Sequence, residues 1–151
     1  MIKLITDENM NKYLELAQIY EKEFAHLTGA RTDENGLYPV STPIDAIHIG
    51  YYYCENKLEI GFMVINIESE PYDVCEFFIL KEHRKRGSGQ KLAFEVFDLH
   101  NVEWSVKQLY DAKQANSFWI RVIGEYTGNA FSQQIYEDEK WGKVHMQTFS
   151  R

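Results

Sequence analysis

The sequence predicts an α/β domain in which a mixed, mostly antiparallel central sheet is flanked by helices. Strand-like runs separated by short turns fill residues 47–80, which is typical of antiparallel strands. A glycine-containing loop follows, and apolar residues then recur at helical spacing between residues 92 and 100. One more strand, a second helix and two last strands complete the pattern. The antiparallel strands therefore feed into a β-α unit.

The composition is that of one globular domain over residues 1–151, with 44% hydrophobic and 26% charged residues. A net charge of -7 argues against a nucleic-acid-binding protein, because such proteins need a basic surface. The first 14 residues contain no long apolar run, so we expect neither a signal peptide nor a membrane span.

The cysteines and histidines bear on compartment and metal binding. Cys54 and Cys75 are isolated within apolar runs, which indicates reduced thiols and a cytoplasmic protein. The five histidines have no ligand spacing with the cysteines, so we expect no metal site.

The N-terminal third consists of a strand, a helix and a long connection. Residues 1–5 alternate in polarity and predict a first strand. Thr6 or Asp7 then caps a helix whose apolar stripe runs from Met10 to Phe24. Residues 25–46 lose this periodicity and contain glycine and proline, which predicts an irregular connection of a kind that is often functional.

The remaining elements are assigned from alternation and turn residues. Residues 47–54 and 57–67 predict two strands joined by a turn at Glu55-Asn56, with a bulge at Gly61, and residues 74–80 predict a third. After the glycine loop and its helix, residues 102–106 predict a strand. A second helix, based on residues 115–123, is closed by Gly124 and Gly128. Two last strands are predicted over residues 130–136 and 143–149, separated by the acidic turn 137–139.

The glycine loop carries the main functional signal. It contains Arg84, Lys85, Arg86, Gly87, Ser88 and Gly89. A chain that turns tightly into a helix exposes unpaired backbone N–H groups, and glycines let an anion approach them. Because the rest of the chain is acidic, this basic cluster suits a small polyanion better than a polymer. The alternative is a basic surface loop that only caps the helix.

Residues 77–93, F-F-I-L-K-E-H-R-K-R-G-S-G-Q-K-L-A, carry the pattern R-x-x-G-x-G between a strand and a helix. This segment resembles the acyl-CoA-binding loop of the GNAT acetyltransferase superfamily. Residues 115–119, A-N-S-F-W, resemble the A-x-x-F-Y segment of that family and are similar to a branch that has Phe-Trp there. The predicted order of elements matches the family over nearly the whole chain.

The resemblance implies acetyl-CoA as cosubstrate and an amine as acceptor. It implies that backbone groups of Phe78, Ile79 and Leu80 pair with pantetheine. The residues that it implies for the pyrophosphate are Arg84, Lys85, Arg86, Gly87, Ser88, Gly89 and Gln90, and Trp119 is implied as a wall of the cofactor site. We expect a monomer or homodimer with no nucleic-acid or membrane partner.

Two positions depart from the family pattern, and they bear on proton transfer. Ala112 stands where the family often has Asn, and Trp119 stands where it often has Tyr. An indole N–H cannot act as a usable acid, so the common tyrosine proton donor is missing. Tyr126 is a candidate replacement, with plain packing as the alternative.

Glu76 is the candidate general base. It is the one carboxylate within the apolar strand 74–80, on the same side as Phe78 and Leu80. An apolar surrounding would raise its pKa and let it take a proton from an ammonium group. The alternative is a carboxylate that faces solvent or pairs with a neighbouring cation.

The sequence therefore predicts a GNAT-type N-acetyltransferase whose acceptor amine is unidentified. A non-catalytic acyl-CoA-binding or sensing module on the same fold is the main alternative, because the departures at Ala112 and Trp119 affect chemistry more than binding.

Overall fold

The computed structural model describes residues 1–150 and contains a seven-stranded sheet with helices on both faces. The strands are β1 (Ile2–Leu4), β2 (His48–Glu55), β3 (Leu58–Asn66), β4 (Tyr72–Ile79), β5 (Glu103–Leu109), β6 (Ser132–Asp138) and β7 (Gly142–Ser150). The helices are α1 (Met10–Thr28), α2 (Ser88–Leu99) and α3 (Lys113–Thr127), with short 3-10 turns at Asp7–Asn9 and Lys81–His83.

The strand order is β1-β2-β3-β4-β5-β7-β6. Every neighbouring pair is antiparallel except β4 and β5, which are parallel and connected through α2. The prediction of a mixed, mostly antiparallel sheet flanked by helices is confirmed.

Several element boundaries differ from the prediction. The helix α1 continues to Thr28 and ends at Gly29, whose left-handed φ of 76° lets its N–H donate to the Ala25 carbonyl at 2.8 Å. The irregular connection thus begins four residues later than predicted. Asn56 and Lys57 both have positive φ and form the β2–β3 turn, one residue beyond the predicted Glu55-Asn56.

The C-terminal boundaries also move. Strand β5 extends to Leu109, three residues past its predicted end. The helix α3 passes through Gly124 and is ended by Gly128, whose φ is 62°. The strand β6 includes two residues of the predicted acidic turn, so the β6–β7 turn lies at residues 139–141.

Gly61 lies next to a bulge, as predicted. The β2–β3 register shifts between Tyr53 and Cys54, which leaves Ile60 as the extra residue. A Cβ at Gly61 would overlap the carbonyl oxygen of Phe78. Glycine at this position therefore lets β3 and β4 pair closely.

Two cores lie on opposite faces of the sheet. On the face covered by α2 and α3, Phe97 packs against the rings of Trp104, Tyr126 and Phe149 at centroid distances of 4.9–5.2 Å. On the face covered by α1, Tyr13 packs edge-on against Phe62 at 5.1 Å. The functional side chains described below are distributed between these faces.

The strand β4 contains a bulge of its own at Cys75. Val74 is paired with Ile65 and Glu76 with the adjacent Val64, so Cys75 has no partner residue in β3. One extra residue inverts the alternation of side chains. Val74 therefore joins the core beneath α2 and α3, whereas Glu76 and Phe78 face α1.

Candidate functional site

The strands β4 and β5 separate immediately after this bulge. Their parallel pairing covers only Tyr72, Asp73 and Val74 of β4. Residues 76–79 remain paired with β3, and residues 107–109 remain paired with β7, but the described structure contains no pairing between these two segments. A gap thus opens in the middle of the sheet.

The backbone groups that face this gap follow from strand alternation. The Leu80 N–H donates to the Ile60 carbonyl at 2.8 Å, so the backbone groups of Phe78 and Leu80 are directed to β3. Those of Phe77 and Ile79 are directed to the gap, where the Ile79 carbonyl already accepts a hydrogen bond from the Arg84 side chain. Phe77, which sequence reasoning did not select, therefore joins Ile79 on this open edge.

The N-terminus of α2 lies at the open end of β4. Gly87 is its N-cap residue with a φ of 84°, and the first helical hydrogen bond runs from the Lys91 N–H to the Gly87 carbonyl at 3.0 Å. The N–H groups of Ser88, Gly89 and Gln90 precede that bond and have no helical acceptor. No side chain caps this helix end. These amides and the helix dipole favour an anion.

The two loop glycines serve different purposes. Gly87 needs its left-handed conformation, and a Cβ there would meet nothing within 4 Å. A Cβ at Gly89 would lie 3.1 Å from the Phe118 ring and 3.4 Å from the Phe77 ring. Gly87 therefore shapes the loop, while Gly89 lets α2 approach α3 and β4 closely.

The Arg84 side chain is committed to the protein itself. Its guanidinium forms a two-pronged pair with Glu23 of α1 at 2.8 and 2.9 Å. Its Nε donates to the Ile79 carbonyl at 2.7 Å, and it lies 5.3 Å above the Phe78 ring. Arg84 thus fastens the loop to α1 and β4. Lys85, with a positive φ of 63°, is the exposed basic residue beside it.

A carboxylate that sequence reasoning missed lies against the same loop. Glu55 accepts a hydrogen bond from the Ser88 hydroxyl at 3.1 Å and lies 3.5 Å from the Arg86 guanidinium. Arg86 also donates to His83 Nδ1 at 2.7 Å. Glu55 is distant in sequence and reaches the loop only through the β2–β3 hairpin, so no local pattern reveals it. A further contact joins the Arg121 guanidinium to the Gln90 side-chain oxygen at 3.1 Å.

Glu76 lies beneath α1 at the point where the gap opens. It is only 9% exposed, and it accepts hydrogen bonds from the Thr42 hydroxyl at 2.8 Å and from the Tyr20 hydroxyl. Burial raises the pKa of Glu76 above the ordinary glutamate value, and the two hydrogen bonds oppose that shift. A carboxyl group of raised pKa is suited to accept a proton from an amine.

The two aromatic residues predicted for the site lie on the opposite face. Trp119 is buried with its ring 4.8 Å from that of Phe77. Tyr126 lies at the C-terminal end of α3, where its hydroxyl donates to Asp98 at 2.9 Å. The sheet separates Tyr126 from Glu76, so the structure does not bring these two candidates together.

The first turn of α3 contains a polar residue that sequence reasoning passed over. Asn116 lies one helical turn after Ala112. Its Nδ2 donates to the Tyr110 carbonyl at 3.2 Å, and its buried Oδ1 has no protein partner. Asn116 therefore retains one unused hydrogen-bond acceptor near the open end of β5.

A cleft of about 390 Å³ lies between the C-terminal end of α1 and the β6–β7 turn. Its lining includes Leu27, Leu109, Tyr110, Trp141 and Lys143. This volume is within the range of roughly 300–1,000 Å³ that small-molecule sites occupy. Through Leu109 and Tyr110, the cleft borders the end of β5 that is no longer paired with β4.

Residues 1–150 contain no group of three or more His, Cys, Asp or Glu side chains that could hold a metal ion. None of the described helices is both long and apolar enough to span a membrane.

No protein-family model and no curated protein matches this sequence. Solved structures do match the fold. One is a Bacteroides thetaiotaomicron protein assigned to the GNAT family of acetyltransferases, with TM-score 0.67, 14% identity, and coverage of 100% of this chain and 87% of that one.

Two further similar structures are complexes with coenzyme A or acetyl-CoA. PaiA N-acetyltransferase from Thermoplasma acidophilum, in complex with coenzyme A, has TM-score 0.65 and 11% identity over 99% of this chain and 98% of that one. Arabidopsis thaliana NAA60, in complex with acetyl-CoA, has TM-score 0.64 and 13% identity over 99% and 97%. The chain therefore has the GNAT fold.

Proposed function

We propose that this chain, which has the GNAT fold, is an N-acetyltransferase that transfers an acetyl group from acetyl-CoA to an amine. The observation that carries the proposal is the open edge of β4 at Phe77 and Ile79, next to the uncapped N-terminus of α2. An extended pantetheine arm carries amide groups that can pair with such an edge as a strand would. A pyrophosphate matches the helix N-terminus.

The residues of the loop divide the binding of the pyrophosphate among them. The N–H groups of Ser88, Gly89 and Gln90 donate hydrogen bonds to it, and Lys85 and Arg86 add positive charge. Arg84 holds the loop in place through Glu23 and the Ile79 carbonyl. Trp119 supports the open edge from behind, through the ring of Phe77. The chain's own groups thus fit the pantetheine and pyrophosphate parts of acetyl-CoA.

On the other side of the gap, the acceptor amine enters through the cleft beneath α1. Glu76 takes a proton from its ammonium group, which leaves a neutral amine and a protonated Glu76 carboxyl group. When bound, acetyl-CoA would supply the acetyl thioester. The neutral amine would attack its carbonyl carbon, the carbon–sulfur bond would break, and the proton that the amine nitrogen loses would leave with the CoA thiolate as the CoA thiol. We also propose that the protein is cytoplasmic, because Cys54 and Cys75 would stay reduced in that compartment. It would act as a monomer or homodimer.

A matched pair of variants at Gly87 tests the binding step. Asp and Asn have the same shape and both tolerate positive φ, so Gly87→Asp and Gly87→Asn share the same backbone cost. Only the aspartate adds a negative charge at the helix N-terminus. We expect Gly87→Asp to bind CoA at least about tenfold more weakly than Gly87→Asn in titration calorimetry, since the charge repels the pyrophosphate. Equal affinities would contradict the proposed site.

A screen of acetyl-CoA turnover over polyamines, amino acids, aminoglycosides and peptide amines then tests the reaction. The alternative is a non-catalytic acyl-CoA-binding or sensing module, and it is favoured by Trp119, which offers no acid where the family often has tyrosine. CoA binding that depends on charge at Gly87, with no turnover of any amine, would support that alternative.

A further inference from the structure

A second buried carboxylate lies beside Glu76 and has no part in the reaction described so far. Glu21 of α1 is 4% exposed, and its carboxylate accepts a hydrogen bond from the Ser41 hydroxyl at 2.6 Å. Burial of a charged group is costly unless the group is paired. Neither Glu21 nor Glu76 forms an ion pair within residues 1–150.

The contacts of the two carboxylates place them in the same buried region beneath α1. Ser41 binds Glu21 and the next residue, Thr42, binds Glu76. Tyr20, the residue before Glu21 in α1, also donates a hydrogen bond to Glu76. The charge of Glu21 raises the pKa of Glu76, in addition to the larger effect of burial.

The other titratable groups that face Glu76 do not supply a second negative charge. Burial raises the pKa of Tyr13 and of Tyr20, so both hydroxyls stay neutral. Burial also raises the pKa of the Cys75 thiol, to about 12. Lys140, in the β6–β7 turn, is a cation and acts in the opposite direction. Glu21 is thus the one neighbouring anion among these groups.

We propose that Glu21 is a positioning residue that acts through Glu76: its buried negative charge sets the pH range in which Glu76 can accept a proton from the acceptor amine. The catalytic part of this inference rests on the proposed function. A charged Glu21 makes Glu76 harder to ionise, so Glu76 holds a transferred proton more firmly. The proton moves from the ammonium nitrogen to a Glu76 oxygen and no other bond changes.

The test is a titration of carboxyl resonances in protein labelled with ¹³C at glutamate side chains, without CoA or an amine. Glu76→Gln identifies the Glu76 resonance by its loss. Glu21→Gln keeps the size of the side chain and its ability to accept from Ser41, but removes the charge. We expect it to lower the pKa of Glu76, because a nearby like charge no longer opposes ionisation. An unchanged pKa in a folded Glu21→Gln protein would overturn the proposal.

Two control variants separate charge from packing. Glu21→Asp keeps the charge, so the pKa of Glu76 should stay closer to that of the unmodified protein than to that of Glu21→Gln. Glu15→Gln removes a carboxylate from the same helix where the side chain is 65% exposed, and it should leave Glu76 unaffected. A shift of equal size in all three variants would also overturn the proposal.

The unmodified protein provides a measurement that does not depend on the folding of a variant. Two coupled carboxyl groups each show an inflection at the titration of the other. We therefore expect a two-step curve for Glu76, and a single-step curve would contradict the coupling. Because these titrations need no substrate, a protein with coupled carboxylates but no acetyl transfer would overturn the proposed function and leave the coupling established.

Discussion

The two faces of β4 differ in what they bury. On the face toward α2 and α3, Phe77 and Ile79 join an apolar and aromatic core. On the face toward α1, Phe78 packs beside Glu76, which shares its surroundings with Glu21 and several hydroxyl groups. The bulge at Cys75 separates these roles, since it turns Glu76 away from the face that Val74 occupies.

The apolar face therefore contributes most to stability, and the α1 face carries the proposed base. Apolar burial contributes about 25 cal/mol per Å² and needs no partner. Buried carboxylates lose their hydration, and hydrogen bonds from Ser41, Thr42 and Tyr20 offset only part of that cost. A fold optimised for stability alone would not place two of them beneath α1. We therefore expect substitutions on the two faces to affect different measurements.

The largest effect is expected from Phe97→Ala, on the apolar face. Phe97 is fully buried among Trp104, Tyr126 and Phe149, so the change leaves a cavity. Such truncations cost about 3–5 kcal/mol in the free energy of unfolding. Urea denaturation measures this loss, and the pKa of Glu76 in the folded protein should not change. A loss below about 1 kcal/mol would show that this face is not the main source of stability.

The next largest effect is expected from Glu76→Gln, on the α1 face. The amide keeps the size of the side chain but cannot take a proton, so turnover should fall by roughly a hundredfold while CoA affinity is retained. In the unmodified enzyme, turnover should fall as the pH drops through the raised pKa of Glu76, because the protonated group is no longer a base. This acid limb should be absent from the variant. Turnover equal to that of the unmodified enzyme on an identified amine would show that the proton goes elsewhere.

A smaller effect is expected from Arg84→Ala, which cuts the link between the loop, α1 and β4. The loss of its hydrogen bonds to Glu23 and Ile79 should lower the free energy of unfolding by about 1–3 kcal/mol.

The double variant Lys85→Ala, Arg86→Ala is the control. Stability should change little there, and CoA binding should weaken more at low salt than at high salt, because salt screens exposed charges. Equal losses of CoA affinity at both salt concentrations would contradict that role.

Local patterns in the sequence were enough to predict much of the fold. The apolar stripe of α2 and the alternation in β2 and β3 depend on neighbours within a few residues, so their periodicity shows them directly. The glycine loop was also predictable from local sequence, since Gly87 precedes the helix as the sequence indicated. The assignment of acetyl-CoA to this loop stays a prediction.

Residues that reach the site from a distance were missed. Glu21 was not singled out on α1, Glu55 was assigned to a turn, and Tyr110 had no assigned role. Each reaches its position through a contact between segments that are distant in the chain. Helical or strand periodicity carries no record of such contacts, because it depends only on near neighbours.

Hydrophobic spacing, turn residues and glycine conformations are local properties, so the amino-acid sequence was enough to predict the type and order of the elements. The directions of the side chains and backbone groups of β4 depend instead on long-range strand pairing. The pairing of Val64 and Ile65 with Glu76 and Val74 creates the bulge at Cys75, and the short pairing with β5 opens the gap. Strand register depends on which distant residues pair. A shift of one residue would send Glu76 to the opposite face, away from Glu21 and Tyr20.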